Sequence, residues 1–325
     1  MMALTEDQLS QSSRVLAAMR DQIANAVVGQ NAVIEQVLAA LIAAGHVLVE
    51  GVPGLGKTLL VRALAKTFDG SFGRIQFTPD LMPSDVTGHT IYDPSSGQFS
   101  TRKGPVFTNL LLADEINRAP AKTQAALLEL MQEGQVTIEG TPHALPQPFL
   151  VMATQNPVEQ EGTYPLPEAQ LDRFLLKVRI EYPAHAEEVA LTRAVTGGKI
   201  GDKLAVDAVQ TLIKPATIAG LQQYGANVDV DEQVMDYAVR LVRKTREFPG
   251  IAAGAGPRGS IALVRAARGF ALMAGRGYVT PDDIKRAALP ALRHRIAAAP
   301  ELEIEGRGSD SLITALLEQV PAPRQ

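Results

Sequence analysis

Apolar positions along this chain change period several times, and each change marks a different kind of element. Over residues 6–25, Leu9, Leu16, Met19 and Ile23 recur at helical spacing, and Thr5 followed by Gln8 fits a capping box. Val33, Ile34, Val37, Leu38 and Leu41 repeat the helical period after Val27-Val28-Gly29-Gln30. Val47-Leu48-Val49 breaks it with a short β-branched run that reads as a buried strand, and residues 59–66 return to a helix with its apolar side inward. Further strands are predicted at Ile75-Gln76-Phe77, residues 109–113 and residues 149–153. Between them, residues 121–133 form an amphipathic helix with Leu127, Leu128 and Met131 inward and Gly134 as its stop signal. Residues 135–139 alternate and turn at Gly140-Thr141, which predicts a hairpin. Buried strands alternating with helices predict an α/β fold with a parallel sheet covered on both faces.

After Pro183 the apolar period is helical throughout, as in Val234, Tyr237, Ala238, Leu241 and Val242. Thr280-Pro281-Asp282-Asp283 carries the signals of a helix start: Thr at the N-cap, Pro in the first turn, acids beside the positive end of the helix dipole. Residues 1–182 and 183–325 are therefore expected to be separate domains, hinged near residues 182–188.

Composition narrows the function. The chain has 325 residues, 46% of them apolar and 20% charged, which is ordinary for a globular protein with a packed core. No apolar run approaches the ~18–20 residues that span a bilayer. The first residues carry acids where a signal peptide needs a basic segment, so the cytoplasm is the expected location. With no cysteine there is no disulfide framework and no thiolate metal site. A net charge of −4 and sparse aromatics argue against a nucleic-acid coat protein. The five histidines show no metal-ligand spacing.

The chemistry sits after the first buried strand. Gly51-Val52-Pro53-Gly54-Leu55-Gly56-Lys57-Thr58, running into Leu59, fits G-x-x-x-x-G-K-[ST] between a strand and a helix. Glycines let such a loop wrap closely, so that backbone N–H groups and the helix N-terminus point at β- and γ-phosphate oxygens. Lys57 adds a full positive charge, and the Thr58 hydroxyl is suited to Mg²⁺. Asp114 and Glu115 end a buried strand, where open α/β sheets place their ligands. An Asp there can hold Mg²⁺ opposite Thr58, and the adjacent Glu can activate the attacking water. Asn156 ends the next apolar strand, where its amide could hold both that water and a γ-phosphate oxygen.

Glu115-Ile116-Asn117-Arg118-Ala119, Thr154-Gln155-Asn156-Pro157 and residues 166–174 (Leu-Pro-Glu-Ala-Gln-Leu-Asp-Arg-Phe) resemble the signatures of MoxR-type AAA+ ATPases. The likeness runs, in order, from Val28-Gly29-Gln30 to the helix after Pro257-Arg258. It implies an αβα ATPase core, a smaller all-helical lid, and assembly into a ring, usually a hexamer, with ATP between subunits. It also implies an arginine finger at Arg173 reaching a neighbour's γ-phosphate, and a second sensor at Arg258 touching the phosphates of its own subunit. Val28 would pack on adenine, and Arg118 is a further interface candidate. Residues 88–105 and 137–146 resemble two family hairpins that would face the pore or one rim.

The resemblance implies an ATP-hydrolysing chaperone that remodels a protein client or inserts a metal or cofactor, commonly with a von Willebrand factor A domain partner. Two alternatives stay open at the level of sequence: a nucleic-acid motor, which the acidic balance opposes, and a magnesium-chelatase-type motor subunit, separable mainly by its partners. A nucleotide-gated scaffold with negligible turnover is disfavoured by the full set of Lys57, Asp114, Glu115, Asn156 and Arg173.

Overall fold

Alternate side chains of the buried strands feed two separate apolar clusters, as a sheet covered on both faces requires. The computed structural model describes residues 4–52, 54–95, 97–156, 163–196 and 205–323, so Pro53 of the phosphate loop and Pro157 lie outside the described residues. The first part of the chain runs α1 (Glu6–Ala26), α2 (Asn31–Ile42), β1 (Val47–Glu50), α3 (Lys57–Thr67), β2 (Phe72–Gln76), α4 (Pro83–Thr87), β3 (Gly88–Asp93) and β4 (Gln98–Lys103). It continues through β5 (Leu110–Asp114), α5 (Ala121–Glu133), β6 (Gln135–Ile138), β7 (Thr141–Ala144), β8 (Leu150–Gln155), α6 (Glu168–Leu171) and β9 (Leu176–Arg179). Then follow α7 (His185–Thr196), α8 (Pro215–Asn227), α9 (Glu232–Thr245), β10 (Ile251–Ala253), α10 (Pro257–Met273), α11 (Pro281–Leu292), β11 (Ala297–Ala298), α12 (Pro300–Ile304) and α13 (Ser309–Gln319).

The main sheet has five parallel strands in the order β2-β5-β8-β1-β9. Val47, Val49, Leu110, Leu112, Leu150, Met152, Leu176 and Val178 face a cluster shared with α1, α2, α3 and the C-terminal helices. Leu48, Leu111, Ala113, Val151 and Ala153 face the other, closed by Val86 of α4 and Leu127, Leu128 and Met131 of α5. Each such Val, Leu or Met side chain contributes roughly 1.5–3 kcal/mol by leaving water, so register is strongly fixed: a one-residue slip would exchange the two faces.

Most elements lie where the pattern puts them. Thr5 and Gln8 form the capping box of α1, and Thr280 and Asp283 that of α11. Gly134 ends α5 in the left-handed region at φ 63°. The β6–β7 turn falls one residue earlier than expected, at Glu139-Gly140, both at positive φ, the backbone twist a two-residue hairpin turn needs. The β3–β4 hairpin fills residues 88–103 and opposes Tyr92 to Phe99, both exposed, with ring centroids 5.1 Å apart. β9 is absent from the sequence reading: a four-residue edge strand directly after Arg173-Phe174 leaves too short an alternation to stand out.

The C-terminal helices dock on α2 through glycines. A Cβ on Gly269 of α10 would lie 2.7 Å from Ala39 O, and one on Gly225 of α8 would lie 2.7 Å from Ile42 Cγ2. Among the described residues, the regular elements of this part are helices apart from the short antiparallel pair β10–β11 and an isolated bridge between Asp229 and Tyr278, and its apolar core is continuous with that of α1, α2 and one sheet face. Among the described residues, no helix is long and apolar enough to cross a membrane.

Candidate nucleotide site and two remote arginines

Residue register fixes which groups share the C-terminal end of the sheet. Glu50 of β1 pairs with Gln155 of β8, so Gly51 and Asn156 leave the sheet at one level. Ala113 of β5 pairs with Ala153 of β8, which sets Asp114 beside Thr154. Lys57, Asp114, Glu115 and Asn156 therefore converge at one end of three neighbouring strands.

The loop glycines answer different demands. Gly54 and Gly56 have φ of 86° and 78°, and a Cβ on either would meet nothing within 4 Å. They are needed for backbone conformation, and the space beside them is open. Gly51 is needed for packing, since its Cβ would lie 2.8 Å from Ile180 O. The first helical bond of α3 runs from Leu60 N to Gly56 O at 2.9 Å. The N–H groups of Lys57, Thr58 and Leu59 thus have no partner within the helix, which suits an anion. The Leu59 side chain is buried in the core, leaving its backbone to face the loop, and Leu55 packs at the edge of the same cluster. Lys57 Nζ donates to Gly51 O. Burial lowers the pKa of Lys57, against the raising effect of Asp114, Glu115 and Glu50. Glu50 is itself held by Lys177 and Arg179; burial acts to raise its pKa, but those cations prevail and lower it.

Asp114 and Glu115 are held by partners distant in sequence. The Thr154 hydroxyl donates to Asp114 Oδ1 at 2.6 Å and accepts the Glu115 N–H at 2.9 Å. Glu115 itself sits in the left-handed region at φ 57°. Arg74 Nη2 donates to Asp114 Oδ2 at 2.6 Å and to Gln76 Oε1 at 3.0 Å, and Gln76 Nε2 donates to Glu115 Oε2 at 2.7 Å. Arg118 Nε lies 3.4 Å from Glu115 Oε2. Arg74 and Gln76 carry no motif of their own, and the polar residues of β2, an edge strand pointing at the acidic pair, were the available signal; Thr154 opens the Thr154-Gln155-Asn156-Pro157 motif, but the motif gave it no role beside the acids. These donors fit the implied ligands: an open loop of N–H groups with a lysine for phosphates, and the Thr58 hydroxyl with the Asp114 carboxylate for a hard cation.

Val28 stands at the same end, half-buried in the turn between α1 and α2. A Cβ on the next residue, Gly29, would lie 2.8 Å from Glu187 Oε2, and Gln30 Nε2 donates to Glu181 O at 3.0 Å. The turn is thus fastened to the chain leaving β9, beside the phosphate loop.

Arg173 and Arg258 are at the other end of the sheet. They line one cleft of about 450 Å³ with Gly45 and His46, which precede β1, and Leu175, which precedes β9. Val47 pairs with Leu176, so that cleft and the phosphate loop are separated by the length of the strands, at about 3.3 Å per residue. The expected contact of Arg258 with its own subunit's phosphates is therefore corrected. The N-terminus of α10, fixed by the docking of that helix on α2, carries Arg258 to Asp172, with Nε 3.7 Å from Oδ2.

A parallel sheet with a phosphate loop after β1 and an Asp–Glu pair across β8 is the arrangement of a P-loop nucleotide-binding fold. The family described as "ATPase family associated with various cellular activities (AAA)" matches residues 46–176, and the AAA lid domain matches residues 243–315. The chain is 43% identical to the chaperone MoxR1 of Mycobacterium tuberculosis over 314 residues, covering 93% of this chain and 81% of that one. It is 34% identical to the protein MoxR of Methylorubrum extorquens over 328 residues, covering 94% and 95%. A crystal structure of a Cytophaga hutchinsonii protein superposes with a TM-score of 0.89 at 43% identity, covering 98% of each chain. The chain belongs to the MoxR family of AAA+ ATPases.

Proposed function

We propose that this protein hydrolyses ATP to ADP and phosphate at sites completed by a neighbouring copy in a ring, a hexamer by family resemblance. The observation that carries this reading is the separation of Lys57, Asp114, Glu115 and Asn156 at one end of the sheet from Arg173 and Arg258 at the other. A single chain cannot bring both sets to one γ-phosphate; head-to-tail neighbours can. In that ring the loop N–H groups and Lys57 bind the phosphates, and Val28 packs on adenine. Thr58 and Asp114 would hold Mg²⁺, which neutralises charge on the β- and γ-phosphate oxygens. Glu115 and Asn156 orient the attacking water. Arg173, joined by Arg258, meets the charge that builds on the γ-phosphoryl group, a contribution that can reach ~10³–10⁵ in rate when supplied in trans.

The output in this reading is remodelling of a protein client or insertion of a metal or cofactor, in the cytoplasm, with a von Willebrand factor A domain protein as partner. Residues 1–182 act as the core and residues 183–325 as the lid. The exposed Tyr92–Phe99 pair supports the β3–β4 hairpin as a client contact.

Arg173→Ala tests the trans geometry. It should bind ATP normally and turn it over slowly, and mixing with Glu115→Gln subunits, which keep an intact Arg173, should restore part of the activity. Full turnover by Arg173→Ala, or by wild-type chain held monomeric by dilution, would overturn the proposal.

A further inference from the structure

We propose that Arg295 is a positioning residue for catalysis in the neighbouring subunit: it clasps the segment that carries Arg173 and, through Asp172, joins it to Arg258. The inference rests on the trans role of Arg173 argued above. Arg295 follows the C-terminal end of α11, and its side chain is only 4% exposed. All five of its N–H donors are engaged. Nε donates to Asp172 Oδ1 at 2.7 Å, and Nη2 donates to Asp172 O at 3.1 Å and Phe174 O at 2.6 Å. Nη1 donates to Leu175 O at 3.1 Å and to Ala291 O.

Four of these five bonds end on residues 172–175, on both sides of Arg173. The preceding residue, His294, in the turn after α11, adds a fifth tie, with its Nε2 3.1 Å from Phe174 O; a carbonyl only accepts, so Nε2 carries the proton. Asp172 closes the arrangement, with Oδ1 held by Arg295 and Oδ2 facing Arg258 Nε at 3.7 Å. The two arginines offered to a neighbour therefore stand on one unit, fastened from behind by the lid. A guanidinium is required at the clasp, because an ammonium has three donors and cannot reproduce a planar five-bond fan.

Placement matters here because catalytic contributions of this kind fall steeply with distance, about 10²-fold for a displacement on the order of 1 Å. Arg295→Lys keeps the charge and Asp172→Asn keeps the shape; both are to be made in the full chain, with thermal unfolding as a check on the fold. Each should bind a fluorescent ATP analogue within about twofold of wild type and lose roughly 10- to 100-fold in kcat with little change in KM. Their activity should return in part when they are mixed with Glu115→Gln subunits, whose own clasp and Arg173 are intact. A merely structural defect would lower ATP binding and would not be rescued by a neighbour.

The inference fails if both variants keep wild-type kcat, if their ATP affinity falls with kcat, or if mixing rescues Arg173→Ala but neither of them. If mixing fails to rescue Arg173→Ala itself, the trans reading falls, and this inference with it.

Discussion

Arg74 and Asp114 are bound to each other across the edge of the sheet, with Nη2 2.6 Å from Oδ2. Arg74 thus holds one oxygen of the carboxylate proposed for Mg²⁺, while Thr154 holds the other. Through Gln76 the same guanidinium is linked to Glu115, so the two acidic groups share one polar chain. Cation binding at Asp114 would compete with Arg74 and loosen the tie on Glu115.

Removing Arg74 should therefore ease Mg²⁺ binding. The arginine is 48% exposed, so solvent screening limits its pair with Asp114 to about 0.5–1 kcal/mol. Arg74→Ala is expected to lower the Mg²⁺ concentration for half-maximal ATPase by about two- to fivefold. An unchanged Mg²⁺ titration with reduced kcat would place Arg74 on the nucleotide instead.

Lys57 and Glu115 should separate binding from turnover. In the proposed reaction Lys57 would face the phosphates in ground and transition states alike, whereas Glu115 would act on the water alone. Lys57→Ala is expected to abolish nucleotide binding in equilibrium titration, and Glu115→Gln to retain ATP while losing turnover. Hydrolysis near the wild-type rate by Glu115→Gln would remove it as the water-activating residue.

Thr154 joins the two acids through one hydroxyl that donates to Asp114 and accepts from the Glu115 N–H. Thr154→Val keeps the shape and leaves the part-buried Glu115 N–H without this partner, at a cost of about 0.5–1.5 kcal/mol. The expected result is a fall in denaturant midpoint together with a kcat loss of roughly tenfold, since that bond ties the backbone of Glu115, a residue in the left-handed region, to β8. A variant with wild-type kcat would show that the bond does not set the aim of Glu115.

His46 gives the fold a pH dependence. Its Nδ1 accepts the Val151 N–H at 3.0 Å and its Nε2 faces Met131 O at 2.9 Å, so the ring is held neutral between β8 and α5. Burial lowers its pKa to about 4 from 6.5, and His294 is shifted in the same direction by burial and by Arg295. Between those values the unfolded chain binds more protons than the folded one. Stability is therefore full above pH 6.5 and falls as pH drops towards 4, by up to about 1.4 kcal/mol per pH unit for each histidine. Urea unfolding from pH 7.5 to 5 should show that decline; a flat midpoint across the range would mean that His46 is protonated in the fold.

Local signals were legible because their partners are local. Thr5 bonds to a residue three positions on, Gly134 to one four positions back, and Gly54, Gly56 and Lys57 act through one loop and the helix it opens. Strand periodicity likewise stated which positions are buried: residues 109–113 read as a strand buried on both faces before any neighbour was known, and β5 runs one residue further on, from Leu110 to Asp114. β9 escaped because four residues at a sheet edge carry little periodic signal, though Lys177 and Arg179 on it hold Glu50 beside the phosphate loop.

By itself the sequence determined the α/β class, the phosphate loop and the acidic pair, because spacing along the chain dictates helix faces, strand faces and loop conformation. Only the tertiary structure decided what meets Asp114, where Arg258 points and what fastens Arg173. Those contacts join Arg74 to Asp114, Thr154 to Glu115, and Arg258 and Arg295 to Asp172. Periodicity says that a face is covered but not by what. The covering partner follows from strand order and from how closely α10 can approach α2, and that approach rests on the missing side chain of Gly269.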